Sequence, residues 1–152
     1  MSICLRASPT EVFEFHMHPH NLLKVAPPGV RVRIVDAPDR LRLGAEVSLE
    51  TQFGSLAFDW KSRIVKLAPC EEFVDEQVEG PFRRWRHRHV FEAINEGEGV
   101  QLTDAVHYEV KFGVLAGLAA TGMLRRYLVR MFRYRQERMA EIFGRVEEAE
   151  AS

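Results

Sequence analysis

Trp85, His87, His89 and Phe91 alternate along a stretch where a purely structural strand would carry aliphatic side chains. Successive residues of a β-strand point to opposite faces, so these four share one side while Arg84, Arg86 and Arg88 share the other. Arginines belong in water, which makes the Trp/His/His/Phe row the inward one. Two inward imidazoles can build a buried hydrogen-bond network, orient the polar group of a ligand, or move protons as acid and base. A His-x-His pair on one strand also aims two nitrogens the same way, as in several metal sites. Two ligands are too few for such a site. A third would come from Asp75, Asp104 or the distant His107, and His107 alternates onto the face opposite Asp104 and Tyr108. Carboxylates engaged with imidazoles make a poor closed site, so the reading expects no metal and no cofactor.

The partners of this row follow from hairpin register. A reversal through residues 95–99 places Phe91 opposite Leu102, His89 opposite Asp104, His87 opposite Val106 and Trp85 opposite Tyr108. Across the Gly80-Pro81 turn a similar register puts Asp75 beside His87 and Gln77 beside Trp85. A one-residue slip would send the whole row to the other face, and the alternation with arginine argues against that slip. No nucleophile or oxyanion hole accompanies the Asp/His pairs, so they are read as network and ligand contacts, with no residue assigned as catalytic.

These strands must belong to a chain of 152 residues, long enough for a single domain with both a core and a cavity. Its formal net charge of −1 gives no whole-molecule attraction to nucleic acid. The arginines at 125, 126, 130, 133, 135 and 138 are interleaved with Glu137 and Glu141, and read as a solvated helix face rather than a nucleic-acid site. Cys4 and Cys70 lie far apart outside any Cys-x-x-Cys spacing, with no secretory signal before them, as expected of a cytoplasmic protein. The apolar stretch 112–124 is broken by Gly113, Gly117 and Gly122 and is shorter than the ~20 residues that span a bilayer, so no stable membrane insertion is expected.

Along the chain, residues 3–6 read as a short strand, followed by a helix capped by Ser8 or Thr10, with Pro9 in its first turn and Val12, Phe13 and Phe15 inward. His18-Pro19 breaks it, and 21–25 make a second short helix that Pro27-Pro28 stops. Alternation then begins at Val30, Val32 and Ile34 and continues through Leu41 and Leu43, Val47 and Leu49 around Gly44, then 57–67, 73–79, 82–94 and 100–110. Residues 113–146 have helical period, with Leu118, Met131, Phe132, Met139, Ile142 and Phe143 as buried candidates. Roughly 34 residues at ~1.5 Å each make about 50 Å, enough to cross a curved sheet. The small-sided segment 113–122 reads either as close helix-on-sheet packing or as room left for a ligand. The single domain is drawn at 1–146, with an acidic tail at 147–152.

The order strand, two short helices, a six-strand antiparallel run and one long helix is an α+β helix-grip architecture. The chain resembles the SRPBCC group of the START-like (birch-pollen-allergen, polyketide cyclase/dehydrase) superfamily. The resemblance rests on Phe73, Asp75, Gln77, Gly80, Pro81, Phe82, Trp85, His87, His89 and Phe91, followed by Asp104, Val106 and Tyr108. It extends to Phe13-Glu-Phe-His16, Asn21-Leu22, Gly44, Trp60, Ile64, Gly113 and Phe132-x-x-Arg135. It implies a curved six- to seven-stranded sheet wrapped around the last helix, with an apolar cavity between them that takes a hydrophobic small molecule.

Fold alone does not choose among the binding proteins, transfer proteins, aromatase/cyclases and co-chaperones of that superfamily. The leading reading is a non-enzymatic binding protein. Trp60, Phe73, Trp85, Phe91, Tyr108 and Leu118 form the apolar wall, while Asp75, Gln77, His87, His89 and Asp104 make the few polar contacts. Arg135 is read as pairing with a carboxylate of the sheet. The alternatives are a polyketide-type aromatase/cyclase or dehydratase using a His/Asp pair, and an interaction or stress module without a physiological ligand.

Overall fold

The computed structural model describes residues 1–53, 56–111, 113, 116–117, 120 and 122–146. Seven strands form one antiparallel sheet: β1 (Ser2–Leu5), β2 (Val30–Asp36), β3 (Glu46–Phe53), β4 (Leu56–Ala68), β5 (Glu72–Glu79), β6 (Phe82–Ile94) and β7 (Gly99–Val110). Their spatial order is β1-β7-β6-β5-β4-β3-β2, so β2 to β7 make a meander and the first strand closes the far edge beside the last. Register shifts interrupt the pairing of β2 with β3, β4 with β5 and β6 with β7, and such irregularities bend a strand. The sheet curves, and with the helix that follows it makes the expected helix-grip fold.

Helix α1 (Pro9–Met17) starts on a reciprocal cap: Glu11 N–H donates to Ser8 Oγ (3.3 Å) and Ser8 N–H donates to Glu11 Oε2 (2.9 Å). Ser8, not Thr10, is therefore the cap. Its buried Phe13 meets Phe91 and Phe73 edge-on, with ring centroids 5.4 and 6.4 Å apart. The second short helix is a 3-10 helix at Pro19–Lys24. No strand forms at Leu41 and Leu43; Leu41 is buried in a loop, held by its N–H on Met17 O at 2.7 Å, while Leu43 is 64% exposed. Two apolar residues in alternation did not outweigh the turn chemistry of Pro38, Asp39 and Gly44 around them.

The long helix α2 is Met123–Phe143, shorter than the 113–146 expected from its period. Gly122 precedes it at φ 71° and Gly144 follows it at φ 79°, left-handed conformations that glycine adopts without a Cβ penalty and that helical residues do not. Its buried stripe is Leu124, Leu128, Phe132, Gln136 and Met139, whereas Ile142 is 40% exposed. Beyond Gly144 the chain lies along β1: Arg6 N–H donates to Gly144 O (3.1 Å) and Val146 N–H to Cys4 O (3.1 Å). That contact covers much of an edge that would otherwise offer unpaired backbone groups. Leu118, Val114 and most of the small-sided segment fall outside the described residues, and so does the acidic tail.

Burial divides into two apolar groups. One gathers α1, β1 and the Ile64, Phe73, Phe91 and Leu102 side chains of the sheet. The other joins Phe82 and Trp85 to Leu124, Leu128 and Phe132 of α2. The polar residues of the inward row lie between them.

Candidate functional site

The inward row is as expected. Trp85, His87, His89 and Phe91 are buried and Arg84, Arg86 and Arg88 exposed, and β6 pairs with β7 in the register Trp85–Tyr108, His87–Val106, His89–Asp104 and Phe91–Leu102. On the other side Asp75 pairs with His87. The expected Gln77–Trp85 pair does not form. Gln77 turns back instead, donating from Nε2 to Phe82 O (2.8 Å) and accepting Phe82 N–H on Oε1 (3.2 Å). A Cβ at Gly80 would strike this amide, which is why the turn takes glycine.

The sheet thus places two imidazoles between two carboxylates. His87 Nε2 donates to Asp104 Oδ1 at 3.0 Å, and Gln136 of α2 donates from Nε2 to Asp104 Oδ2 at 3.2 Å. His89 Nδ1 lies 3.2 Å from Asp104 Oδ1 but off the line of a hydrogen bond, and this buried nitrogen has no hydrogen-bond partner among the described residues. The other two nitrogens face Asp75 Oδ2, with His87 Nδ1 at 3.7 Å and His89 Nε2 at 3.4 Å. The His87 and His89 ring centroids are 3.8 Å apart; His89 stacks on Phe73 (4.0 Å), and His87 meets Phe132 edge-on (5.0 Å).

Burial and charge divide the protons unequally among these rings. Burial pushes His87 below its ordinary value and the charge of His89 adds to the push, against the opposing bond to Asp104, so His87 is neutral at pH 7. For His89 burial acts in the same sense, but contacts with Asp104 and Asp75 together outweigh it and raise the ring above its ordinary value. Burial also opposes ionisation of both carboxylates. The histidines win there too: Asp75 is lowered, and Asp104 is held well below the usual carboxylate range.

A cavity of about 410 Å³ opens against this cluster. Asp75, His87 and His89 line it, and Trp60, Phe73 and Trp85 are among its apolar walls. Four of the expected contacts are elsewhere. Phe91 packs behind His16 in the apolar core, Tyr108 packs on Phe82 and Trp85 from the next strand, Asp104 sits behind the histidines, and Gln77 closes the β5–β6 turn; none of these lines the cavity.

Several polar lining residues escaped the sequence reading, and two of them bear on the cluster. His16 of α1 comes within 5.4 Å of His89, ring to ring, and its Nδ1 donates to Val12 O at 2.7 Å. One edge of the ring borders the cavity; the rest is enclosed, and burial first, then the charge of His89, lowers it to about 3. Its place directly after Phe13-Glu-Phe15 was the available signal. Arg135 of α2 also lines the cavity, with its guanidinium 5.4 Å from the Phe132 ring centroid. It makes no ion pair with a carboxylate among the described residues, contrary to the expected sheet pairing. Its spacing of three from Phe132 puts both on one helix face, which was legible, but the tilt that turns that face into the cavity was not.

A sequence profile of the family described as polyketide cyclase / dehydrase and lipid transport matches residues 5–136. The chain belongs to this family. No curated protein matches it in sequence. Among solved structures it is similar to the Zhui aromatase/cyclase from Streptomyces sp. R1128, with 18% identity, a TM-score of 0.71, and 93% of this chain and 90% of that one covered. Protein CV1439 from Chromobacterium violaceum gives 14% identity, a TM-score of 0.69 and 96% of both chains. Ginseng major latex-like protein 151 from Panax ginseng gives 16% identity, a TM-score of 0.59, and coverage of 90% and 93%. At these identities the likeness is one of fold. No helix among the described residues is long and apolar enough to cross a membrane.

Proposed function

We propose that this member of the family holds an amphipathic small molecule, its apolar body against Trp60, Trp85 and Leu128 and an oxygen-bearing head group at the Asp75/His87/His89/Arg135 end. The observation that carries this is the cavity itself: about 410 Å³, mostly apolar, with Asp75, His87, His89 and Arg135 among its few charged or titratable lining groups. Arg135 donates but cannot accept, and it has no carboxylate partner among the described residues, so it favours an acceptor oxygen such as a carbonyl, phenol or carboxylate. Binding without catalysis is the simpler chemistry, because it asks nothing of the Asp75/His87/His89 cluster beyond hydrogen bonding and charge.

The test is displacement of the dye ANS by 1-dodecanol and by dodecanoate, in the wild type and in Leu128→Trp, which fills the cavity from α2. Both competitors displace the dye from the wild type and fail in the variant if the reading holds. Equal displacement from both proteins would place the binding surface outside the cavity.

A second reading draws on His87. Its Nε2 proton is held by Asp104, which leaves Nδ1 as the unprotonated nitrogen toward the cavity, an arrangement suited to a general base in a cyclisation or dehydration. It stands or falls on turnover lost in His87→Gln with ligand binding retained.

A further inference from the structure

The contacts between Asp75 and the two histidines are long for hydrogen bonds and right for something else. Neutral or charge-assisted N–H···O bonds run at about 2.7–3.2 Å. His87 Nδ1 and His89 Nε2 stand 3.7 and 3.4 Å from the same oxygen, Asp75 Oδ2, both beyond that range. Donor atoms that share a tetrahedral ion at ~2.1 Å lie roughly 3.4 Å apart. All three donor atoms lie within 4.8 Å of one another.

The opposite nitrogens complete the pattern. His87 Nε2 and His89 Nδ1 both face Asp104 Oδ1, at 3.0 and 3.2 Å, and Gln136 anchors the other oxygen of that carboxylate. Metal-binding histidines characteristically turn their far N–H to a carboxylate, which fixes the tautomer and aims the free nitrogen. Here one buried carboxylate faces two rings on alternate positions of a single strand, bonded to His87 Nε2 and 3.2 Å from His89 Nδ1. The unpartnered His89 Nδ1 is the atom that gains from it, since an ion at Nε2 requires the proton on Nδ1, toward Asp104.

We propose that Asp75, His87 and His89 form a two-histidine, one-carboxylate site for a divalent first-row transition metal such as Zn²⁺ or Fe²⁺, open toward the cavity. Coordination releases the His89 Nε2 proton to solvent and leaves Nδ1–H beside Asp104. Asp75 and Asp104 supply two negative charges against the two of the ion. Two imidazoles and one carboxylate suit borderline metals better than Ca²⁺ or Mg²⁺, which prefer all-oxygen shells. All three donors line the cavity, so the remaining coordination positions face the space where a small molecule would sit. This reverses the expectation of no metal drawn from the sequence, where Asp75 was a candidate third ligand but was read as engaged with the histidines. The site stands on donor geometry, whether or not the cavity takes an apolar ligand.

The full chain, stripped with chelator and dialysed, is titrated with Co²⁺ and followed by visible absorption, with Zn²⁺ as competitor. The expected result is one equivalent bound, with the d–d bands of a low-coordinate site, removed by Zn²⁺. Asp75→Asn and His87→Gln abolish the bands, and Asp104→Asn weakens binding about 10–100-fold, as loss of an outer carboxylate does. Asp75 is the least buried of the three donors and its contacts in the cluster are long, so Asp75→Asn carries the test if His87→Gln does not fold. Absence of saturable Co²⁺ or Zn²⁺ binding to the wild type overturns the proposal. So does a spectrum unchanged in Asp75→Asn, because the ion would then sit on other histidines such as His18, His20 or His107.

Discussion

His87 bonds to Asp104 diagonally across the sheet: the ladder pairs Asp104 with His89, yet the in-line hydrogen bond, at 3.0 Å, comes from His87. His89, the direct neighbour, touches the same oxygen at 3.2 Å without the alignment of a bond. Residues in one buried network couple by about 0.5–3 kcal/mol. Double-mutant cycles on the metal-free protein, read by chemical unfolding, should therefore give a larger coupling for His87→Ala with Asp104→Ala than for His89→Ala with Asp104→Ala. Equal couplings would mean that alignment does not decide the strength of these contacts.

The inward and outward faces of β6 separate in stability. Trp85 is buried between Trp60, Phe82 and Phe132, so Trp85→Ala should cost ~3–5 kcal/mol. Arg86 pairs with Glu76 on the solvent side, and exposed pairs contribute about 0–1 kcal/mol. Comparable unfolding midpoints for Trp85→Ala and Arg86→Ala would contradict the face assignment.

The alternation that carried this assignment was legible because a strand has a period of two and arginine marks one phase of it. The β6–β7 register followed from the same pattern and a short reversal. What the sequence did not disclose depends on angles between elements. His16 and Arg135 reach the cavity from two different helices, and nothing local to either residue specifies where its helix sits over the sheet. Gln77 shows a different limit: its alternation pointed it inward, but the backbone of Phe82 offered its amide two bonds and Gly80 left it room.

That last point has its own consequence. Gln77→Ala removes two hydrogen bonds to the Phe82 backbone and should destabilise the protein by about 1–3 kcal/mol while leaving dye displacement unchanged. A variant with normal stability and impaired ligand binding would return Gln77 to the ligand site.

Acid should weaken the metal-free fold through His16. Its folded-state value, about 3, lies below its ordinary 6.5, so the unfolded chain binds the extra proton between these limits. The His16 contribution is full above about pH 6.5 and is lost as pH falls toward about 3. His87, also lowered, acts in the same sense; His89, raised, acts in the opposite one, its contribution present below 6.5 and lost as pH rises through its higher folded value. Unfolding free energy measured from pH 7 to pH 4 should thus fall less steeply in His16→Gln than in the wild type. Parallel curves would mean that His16 is protonated in the fold.

The cavity reading is tested most directly by chemical-shift mapping on labelled, metal-free protein with 1-dodecanol and with 1-naphthol, one aliphatic and one aromatic probe. The account expects saturable shifts at the indole N–H groups of Trp60 and Trp85, the methyls of Leu128 and the ring of His87, with Arg84, Arg86 and Arg88 unmoved. Shifts confined to the exposed arginines of α2, or no saturable shift with either probe, would contradict it.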